Sequence, residues 1–320
     1  MTAIIRTYLF LLLISVPSFP QSSLDINGYV QNMETVWAPK NQDNWIFSNS
    51  IGNRINLIWY ANEALTFRSS IRNIFDYGQF PTLVPNYSEI VAKDNGFFDL
   101  TEDLYSGKSY VFYTNIDRLS FSYNIENIEI QLGRQRINWG INSVWTPNDI
   151  FNSASFLNFD YVEKPGSDAL RVQYYFDYAS FLELVGKIDY NEKLTMAGRY
   201  QLNIWEYDIQ LLGGISETDY IGGAGWSGNI SGAGFTGELT YFKNRNKNYN
   251  DQNILAGSIG FNYMFSNSLF IVGEFLYNSI GQVGKSKTTN NIFDLDYSAK
   301  NLSPSRYSIF GQLQYPITPL

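Results

Sequence analysis

Apolar and polar residues alternate along most of this chain once a short apolar run at its start has ended. In residues 170–178, for example, Leu170 and Val172 would share one face of a strand, and Arg171 and Gln173 would share the other. A period of two is the pattern of a β-strand, because successive side chains of a strand point to opposite faces. About fourteen such runs of roughly ten residues follow one another, and no amphipathic helix of any length interrupts them. The pattern predicts an all-β chain.

The connections between these runs alternate in length. Short turns are predicted near residues 61–64, 124–127, 177–180, 203–205, 228–231, 266–268 and 316–319. Longer links are predicted at residues 32–48, 76–107, 138–167, 243–251 and 280–303, whereas two links on that same side, 191–193 and 216–218, are short. Short turns on one side and long loops on the other are typical of barrels in the outer membrane. We therefore predict a transmembrane antiparallel up-and-down β-barrel with about fourteen strands in this sequence.

The composition fits a sheet that closes on itself in lipid. Every backbone amide in a bilayer must be paired within the protein, so a membrane sheet presents its apolar face to lipid and its polar face to a lumen. Aromatic residues make up 17% of the chain and gather near strand ends, where interfacial girdles are expected. A soluble, secreted β-protein is the alternative, because it could bury an alternating face instead. Partition of the mature chain into detergent would exclude that alternative.

The two ends of the chain carry further signals. Arg6 is followed by an apolar run over residues 8–16 and then by Pro17 and Ser18, the pattern of a secretory signal peptide. We expect residues 1–22 to be this signal and residues 23–320 to form one barrel domain in the cell outer membrane. The last residues, 314–320, resemble a turn rather than a closing strand. Fourteen strands would satisfy the even strand number of bacterial single-chain barrels, but the turn at residues 316–319 suggests at least one further hairpin, so we expect a chain truncated from a barrel of about sixteen strands.

The composition also excludes several functions. Histidine and cysteine are absent, which removes Cys/His zinc sites, histidine-based triads, thiol nucleophiles and disulfides. An enzyme would need paired carboxylates or a Ser/Lys arrangement, and the sequence offers no convergent set. We therefore expect no enzymatic activity, no cofactor and no metal. The net charge of −8 argues against nucleic acid as a partner.

Two local patterns have a simpler explanation than a ligand site. The acidic residues 94–103 are expected to form a solvated loop, with a site for a hard cation as the alternative. Residues 223–228 and 232–237 both match G-x-G-x-x-G. A dinucleotide site needs that pattern between a strand and a helix, and here strand patterns follow both copies. We interpret them as one glycine-rich hairpin.

Charged residues at the polar positions of the strands are expected to project into the lumen. The arginines are Arg54, Arg68, Arg72, Arg171, Arg199 and Arg306, and the other charges are Glu129, Glu183, Lys187, Asp189, Asp208, Glu238 and Glu274. The arginines concentrate on the first strands and the last, and the acids on the strands between. A basic wall facing an acidic wall would set up a transverse field across a water-filled pore. The alternative is that these charges pair into a network that fills a narrow barrel.

The sequence GRQRINWGINSVWTPNDIFN, residues 133–152, begins as a strand and then changes character. Strict alternation would turn Arg134 and Arg136 toward lipid, so either they reach the headgroups or a bulge at Gly133 turns them inward. We favour the bulge, because glycine suits that conformation. Thr146-Pro-Asn-Asp149 predicts one or two helical turns. The apolar residues of this loop predict that it folds back onto the inner wall and narrows the mouth.

Residues 133–140 followed by residues 145–152 resemble a signature of porin-like outer-membrane β-barrels of Gram-negative bacteria. They look related to the alginate-export and phosphate-selective porin superfamily, although the order here is Thr-Pro-Asn-Asp where relatives have an Asn-Pro-Thr-Asp-like helix. The resemblance implies passive diffusion of small hydrophilic solutes, with anions or saccharides as candidates. It would make Arg134, Arg136 and Trp139 constriction residues. The partners expected for such a barrel are outer-membrane lipid, small solutes and the barrel-assembly machinery.

Two functions therefore remain open at this point. The first is a porin-like channel whose inward arginines guide anions. The second is a barrel that exports or anchors a surface polysaccharide, with Trp139 and Trp145 stacking on sugar rings.

Overall fold

The computed structural model describes residues 23–37, 45–153, 164–216, 218–245, 252–284 and 297–317. Those residues contain fifteen β-strands and two short helices. The strands are β1 (Ser23–Trp37), β2 (Ile46–Tyr60), β3 (Leu65–Gly78), β4 (Thr101–Gly107), β5 (Tyr110–Ile125), β6 (Ile128–Gln135), β7 (Ser167–Tyr175), β8 (Phe181–Ile188), β9 (Leu194–Ile204), β10 (Tyr207–Ile215), β11 (Asp219–Ile230), β12 (Ala233–Asn244), β13 (Ile254–Met264), β14 (Phe270–Asn278) and β15 (Tyr307–Gln314). The helices, α1 (Phe80–Leu83) and α2 (Tyr87–Val91), lie between β3 and β4. The expected signal peptide lies outside the described residues.

All strands belong to one antiparallel sheet in which each pairs with its neighbour in sequence, except that β4 lies off this path and pairs with β5. The fourteen strands of the path confirm the predicted all-β, up-and-down arrangement. Among the described residues, β1 and β15 do not pair with each other, so the sheet is not closed there. The expectation of about sixteen strands therefore stays a prediction. No helix in the described ranges is long and apolar enough to cross a membrane.

The alternation of short and long connections is confirmed. One side of the sheet carries only tight turns, such as the two residues between β5 and β6 and the two between β9 and β10. Trp205 and Glu206 in the latter turn both have positive φ, as the commonest two-residue hairpin requires. The opposite side, the long-loop side, carries the extended links, including residues 136–166 between β6 and β7.

The two faces of the sheet differ in chemistry, as the alternation predicted. On the outer face Leu184 is 52% exposed and Leu239 is 47% exposed, whereas their strand neighbours Glu183 and Glu238 on the inner face are 1% and 2% exposed. The apolar core lies on the inner face, where buried residues of β7 to β12 pack against Ile137, Trp139 and Phe151. Glu183 and Glu238 on the inner face are therefore covered by protein, and Leu184 and Leu239 on the outer face are not.

The chain that follows β6 contacts strands that lie far apart in the sheet. Trp139 donates to Glu183 on β8, and the backbone N–H of Trp145 donates to Glu274 on β14. Six strand intervals of about 4.8 Å would separate β8 from β14 by about 29 Å in a flat sheet. The six residues from Trp139 to Trp145 reach at most about 21 Å, and the side chains of Trp139, Glu183 and Glu274 add to that reach.

One edge of β5 is shared by two strands. β6 pairs with the second half of β5, from Leu119 to Ile125, and β4 pairs with its first half, from Tyr110 to Asn115. Between these stretches Asp117 forms a β-bulge, since β3 pairs with Arg118 and Ile116 but skips it. β4 thus continues the wall where the chain leaves β6 for the interior.

Gly133 allows β6 to end where it does. Its φ is +113°, and a Cβ at this position would lie 2.3 Å from the backbone oxygen of Leu119. Non-glycine residues are strained in this conformation. Gly133 therefore fixes the backbone just before the chain turns inward.

We expect Gly133→Ala to lower the free energy of unfolding by about 1–3 kcal/mol, because the methyl group would enforce strained backbone against β5. Gly222→Ala is the matched control, because an added Cβ there meets no heavy atom within 4 Å; it should change stability by less than about 0.5 kcal/mol. Urea titration of the folded protein in detergent micelles measures both. Equal effects of the two substitutions would contradict the role given to Gly133.

Candidate functional site

Residues 136–152, which we call the infolded segment, leave β6 and run across the inner face of the sheet. Ile137, Trp139 and Asn148 are fully buried there, and Asp149 and Phe151 are nearly so. The prediction that this loop folds back onto the inner wall is confirmed. Because Glu238 and Glu274, its main contacts, lie near the middle of β12 and β14, the segment crosses the sheet at mid-height rather than at its rim.

Glu238 and Glu274 hold the infolded segment by its backbone. Glu238 accepts hydrogen bonds from the N–H groups of Ile141, Asn142 and Asn148 at 2.6–2.8 Å. Glu274 accepts from three consecutive N–H groups, those of residues 143–145, at 2.8–3.2 Å. Hydrogen bonds from a backbone N–H to a carboxylate are stronger than neutral ones. Two acidic side chains thus fix most of this segment in place.

The prediction of one or two helical turns over residues 146–151 is wrong. The segment forms only turns there, in which Asp149 N donates to Thr146 O and Ile150 N donates to Asn148 O. The N–H of Asn148 is bound by Glu238, and its side chain bridges Ala224 O and the hydroxyl of Thr240. Glu238 therefore takes a backbone donor that the side chain of Thr146 would have bound as a helix cap.

Glu183 anchors the start of the same segment. Its carboxylate accepts from the indole Nε1 of Trp139 at 3.0 Å and from Arg199 at 2.5 Å. Arg199 also lies over the Trp139 ring, and Gln210 donates to the Trp139 carbonyl. Phe151 packs edge-on against the Trp139 ring with centroids 4.9 Å apart. The Trp139 side chain is therefore buried between the infolded segment and the inner face of the sheet.

The expected acidic wall does not face open space. Glu183, Glu238 and Glu274 are 1%, 2% and 5% exposed, because the infolded segment covers them. A transverse field between opposed basic and acidic walls requires acids that face the lumen, so that expectation is wrong for these three residues. Their charge is used to bind backbone N–H groups instead.

An arginine-lined cavity lies beside the segment, against β2, β3, β5 and β6. Its volume is about 330 Å³, and Arg54, Arg68, Arg118 and Arg136 line it together with uncharged residues. No carboxylate is among those lining residues. The cavity is therefore basic on both sides, with Arg136 on the infolded segment and the other three arginines on the wall.

The partners of these arginines lie behind the cavity surface. Arg54 forms a buried ion pair with Asp117 at 2.7 Å, and Arg118 lies 3.6 Å from the same carboxylate. Arg136 lies 3.3 Å from Asp149. Arg68 donates to the hydroxyl of Ser122 at 2.9 Å.

Arg118 was missed by the sequence reasoning, although a signal was present. Ser120 and Ser122 are buried on the inner face, while Phe121 and Tyr123 are exposed on the outer one. Extending that alternation back by two residues would have placed Arg118 on the inner face as well.

Arg134 lies elsewhere than expected. Strand pairing runs without a shift through Gly133 on both sides, so the expected bulge is absent and alternation puts Arg134 on the face opposite to Gln135. Its guanidinium is buried between Asp94 at 2.6 Å and Asp168 at 2.8 Å, and it also donates to Phe98 O. Arg134 therefore fastens the chain before β4 to the wall and does not line the cavity.

Asp94 belongs to the acidic loop whose residues were expected to be solvated. Burial alone would raise the pKa of Asp94, but hydrogen bonds from Arg134 and from two backbone N–H groups outweigh it and hold the pKa below its usual value. Asp94 is thus an anchor for Arg134. No group of acidic residues within the described ranges is arranged to hold a metal ion.

The remaining predicted lumen charges are dispersed. Arg72 is buried beside Arg54 across the β2–β3 pair, and Arg171 forms an ion pair with Glu129 at 2.7 Å. Lys187 donates to Phe151 O at 2.8 Å. Arg306 lies just before β15 and donates to Gly281 O. The alternative prediction was that the inner charges pair into a network that fills the barrel. Such pairing describes part of the lumen, and the arginine-lined cavity is the part that the paired charges leave open.

Comparisons with known proteins give fold-level similarity only. No protein-family model matches the chain, and no curated protein is significantly similar to it. Among solved structures, Salmonella typhi OmpF in complex with daunomycin is 9% identical, with 80% of this chain and 78% of that one covered and a TM-score of 0.47. Pseudomonas putida OprB is 9% identical over 81% and 76%, with a TM-score of 0.42. A mutant of Rhodopseudomonas blastica porin is 11% identical over 80% and 94%, with a TM-score of 0.34. With scores below 0.5, these similarities identify neither a family nor a solute for this chain.

We expect Glu238→Ala to lower the free energy of unfolding by at least about 3 kcal/mol, because three N–H groups that it binds would lose their acceptor in a buried site. Glu63→Ala, at an exposed turn position, should change it by less than about 0.5 kcal/mol. Urea titration measures the difference, and limited proteolysis should cut residues 136–152 in the Glu238 variant only. A stable, protease-resistant Glu238→Ala protein would show that the segment is held by other contacts.

Proposed function

We propose that this protein is a porin-like channel of the outer membrane, through which small hydrophilic solutes diffuse passively and anions pass in preference to cations. The single observation that carries the proposal is the cavity of about 330 Å³ lined by four arginines and no carboxylate. Outer-membrane lipid and the barrel-assembly machinery are its proposed partners, together with the solutes.

The outer face supports a membrane location. Large apolar side chains from nearly every strand are exposed there, including Leu184, Leu211, Leu239 and Phe261 at 47–52%. So many exposed large apolar side chains on one face are unusual for a soluble protein. A curved antiparallel sheet that turns such a surface outward and polar residues inward is the form in which strands cross a bilayer.

The basic cavity supports anion preference. The infolded segment fills the β8–β14 side of the inner face at mid-height, so the open space lies along β2 to β6. A solute there would pass between Arg136 on one side and Arg54, Arg68 and Arg118 on the other. At physiological salt, charges act strongly only within about 8 Å. Guanidinium groups that line a narrow passage are within that range, so they would attract anions and repel cations.

Nothing in the site favours the polysaccharide alternative. That function was expected to use Trp139 and Trp145 as stacking platforms for sugar rings, but these side chains are 0% and 7% exposed. Both pack within the protein, so neither presents a ring face to a passing sugar.

We expect the combined Arg68→Met and Arg136→Met substitutions to reduce the anion-to-cation permeability ratio by about three- to tenfold, because two of the four lining charges are removed. Reversal potential in a planar bilayer under a KCl gradient measures this ratio. Arg245→Met is the matched control: Arg245 is exposed at the end of β12, and its removal should leave the ratio unchanged.

A folded protein that forms no channel would refute the proposed function. A channel whose selectivity is the same with and without the two arginines would refute the role of the cavity.

A further inference from the structure

Asp149 lies directly behind the one arginine that the infolded segment contributes to the cavity. Its Oδ2 is 3.3 Å from Nη2 of Arg136, and the residue is 1% exposed, whereas the Arg136 side chain is 20% exposed. Arg136 lines the cavity and Asp149 does not. A solute in the cavity would therefore contact the guanidinium of Arg136. The carboxylate of Asp149 would affect that solute only by reducing the positive potential of the guanidinium.

We propose that Asp149 is a specificity-determining residue that sets how much positive charge Arg136 presents to the pore. When the carboxylate is ionised, the pair presents a dipole, whose field falls off faster with distance than that of a single charge. When the carboxylate is neutral, Arg136 presents its full charge and anion preference rises. This inference rests on the proposed function and adds a way to adjust its selectivity.

The groups around Asp149 come from several elements. Lys164 from the chain before β7 and Lys187 from β8 are positive neighbours. The negative charge of Asp149 also interacts electrostatically with Glu238 from β12 and with Tyr297 from the chain before β15. Asp149 is thus the carboxylate that contacts Arg136 within a cluster of mixed charge.

The pair should respond to pH. Burial raises the pKa of Asp149 above its usual value, and the positive charges of Arg136 and Lys164 oppose but do not cancel that effect. As pH falls, the carboxyl group takes up a proton at a higher pH than an exposed aspartate would. Arginine keeps its charge over the whole range. Acidification should therefore uncover Arg136 and increase anion preference.

Asp149→Asn tests the proposal, because it keeps the shape of the side chain and removes its charge. Reversal potentials under a KCl gradient are measured from pH 4.5 to pH 9 for the full-length wild-type channel and the variant. At pH 9 we expect the variant to have an anion-to-cation permeability ratio about two- to fivefold higher than the wild type. The difference should shrink as the pH falls, because the wild-type carboxyl group takes up a proton whereas the asparagine does not.

Two further variants complete the test. Glu63→Gln removes one acidic charge at an exposed turn and should leave the ratio unchanged at both pH values. Asp149→Asn should change the permeability ratio less in an Arg136→Met protein than in the wild type. The reason is that Asp149 acts on the solute through Arg136, which is absent from the Arg136→Met protein. Equal wild-type and Asp149→Asn ratios across the whole pH range, with normal conductance, would overturn the proposal for Asp149 alone. A wild-type protein without conductance would instead overturn the channel function on which it rests.

Discussion

The rest of this structure depends on buried carboxylates that bind backbone N–H groups. Glu238 and Glu274 accept six hydrogen bonds from main-chain N–H groups of the infolded segment, three each, within a region that excludes water. A buried carboxylate without such partners would be costly, and so would a stretch of irregular backbone without acceptors. Here the backbone N–H groups supply the donors that the carboxylates need, and the carboxylates supply the acceptors that the backbone needs. The arrangement holds seventeen residues of irregular chain across the middle of a sheet without a helix.

The position of the segment then determines the electrostatics of the interior. It covers the acidic side chains of β8, β12 and β14, which removes them from the surface of the lumen. The space that remains lies against β2 to β6, where the inner face carries arginines. A chain with a net charge of −8 thus encloses a basic cavity. Net charge describes the molecule as a whole, whereas selectivity depends on the few charges that line the passage.

Much of the fold could be predicted from the sequence, because strand alternation and turn length are local properties. The period of two at residues 170–178 and the alternating loop lengths led to the correct number of strands in the path and the correct inner and outer faces. The anchoring of the infolded segment could not be predicted in this way. Glu238 is close in space to Ile141 but 97 residues away in sequence, and its partner is a backbone N–H group that every residue type carries. Arg134 was misplaced because the glycine before it suggested a bulge, whereas the pairing on both sides of Gly133 is regular.

The division of the interior into a filled side and an open side is tested most directly by thiol accessibility, because the native chain has no cysteine. Arg68→Cys places a thiol in the cavity, and Ser258→Cys places one beneath the infolded segment, where Ser258 contacts Asn142 and the Trp145 carbonyl. A negatively charged methanethiosulfonate reagent, applied while single-channel current is recorded, should react with the Arg68→Cys channel and reduce its current. It should leave the Ser258→Cys channel unchanged. Equally fast modification of both positions would contradict the account, since it would mean that solutes also reach the wall behind the segment.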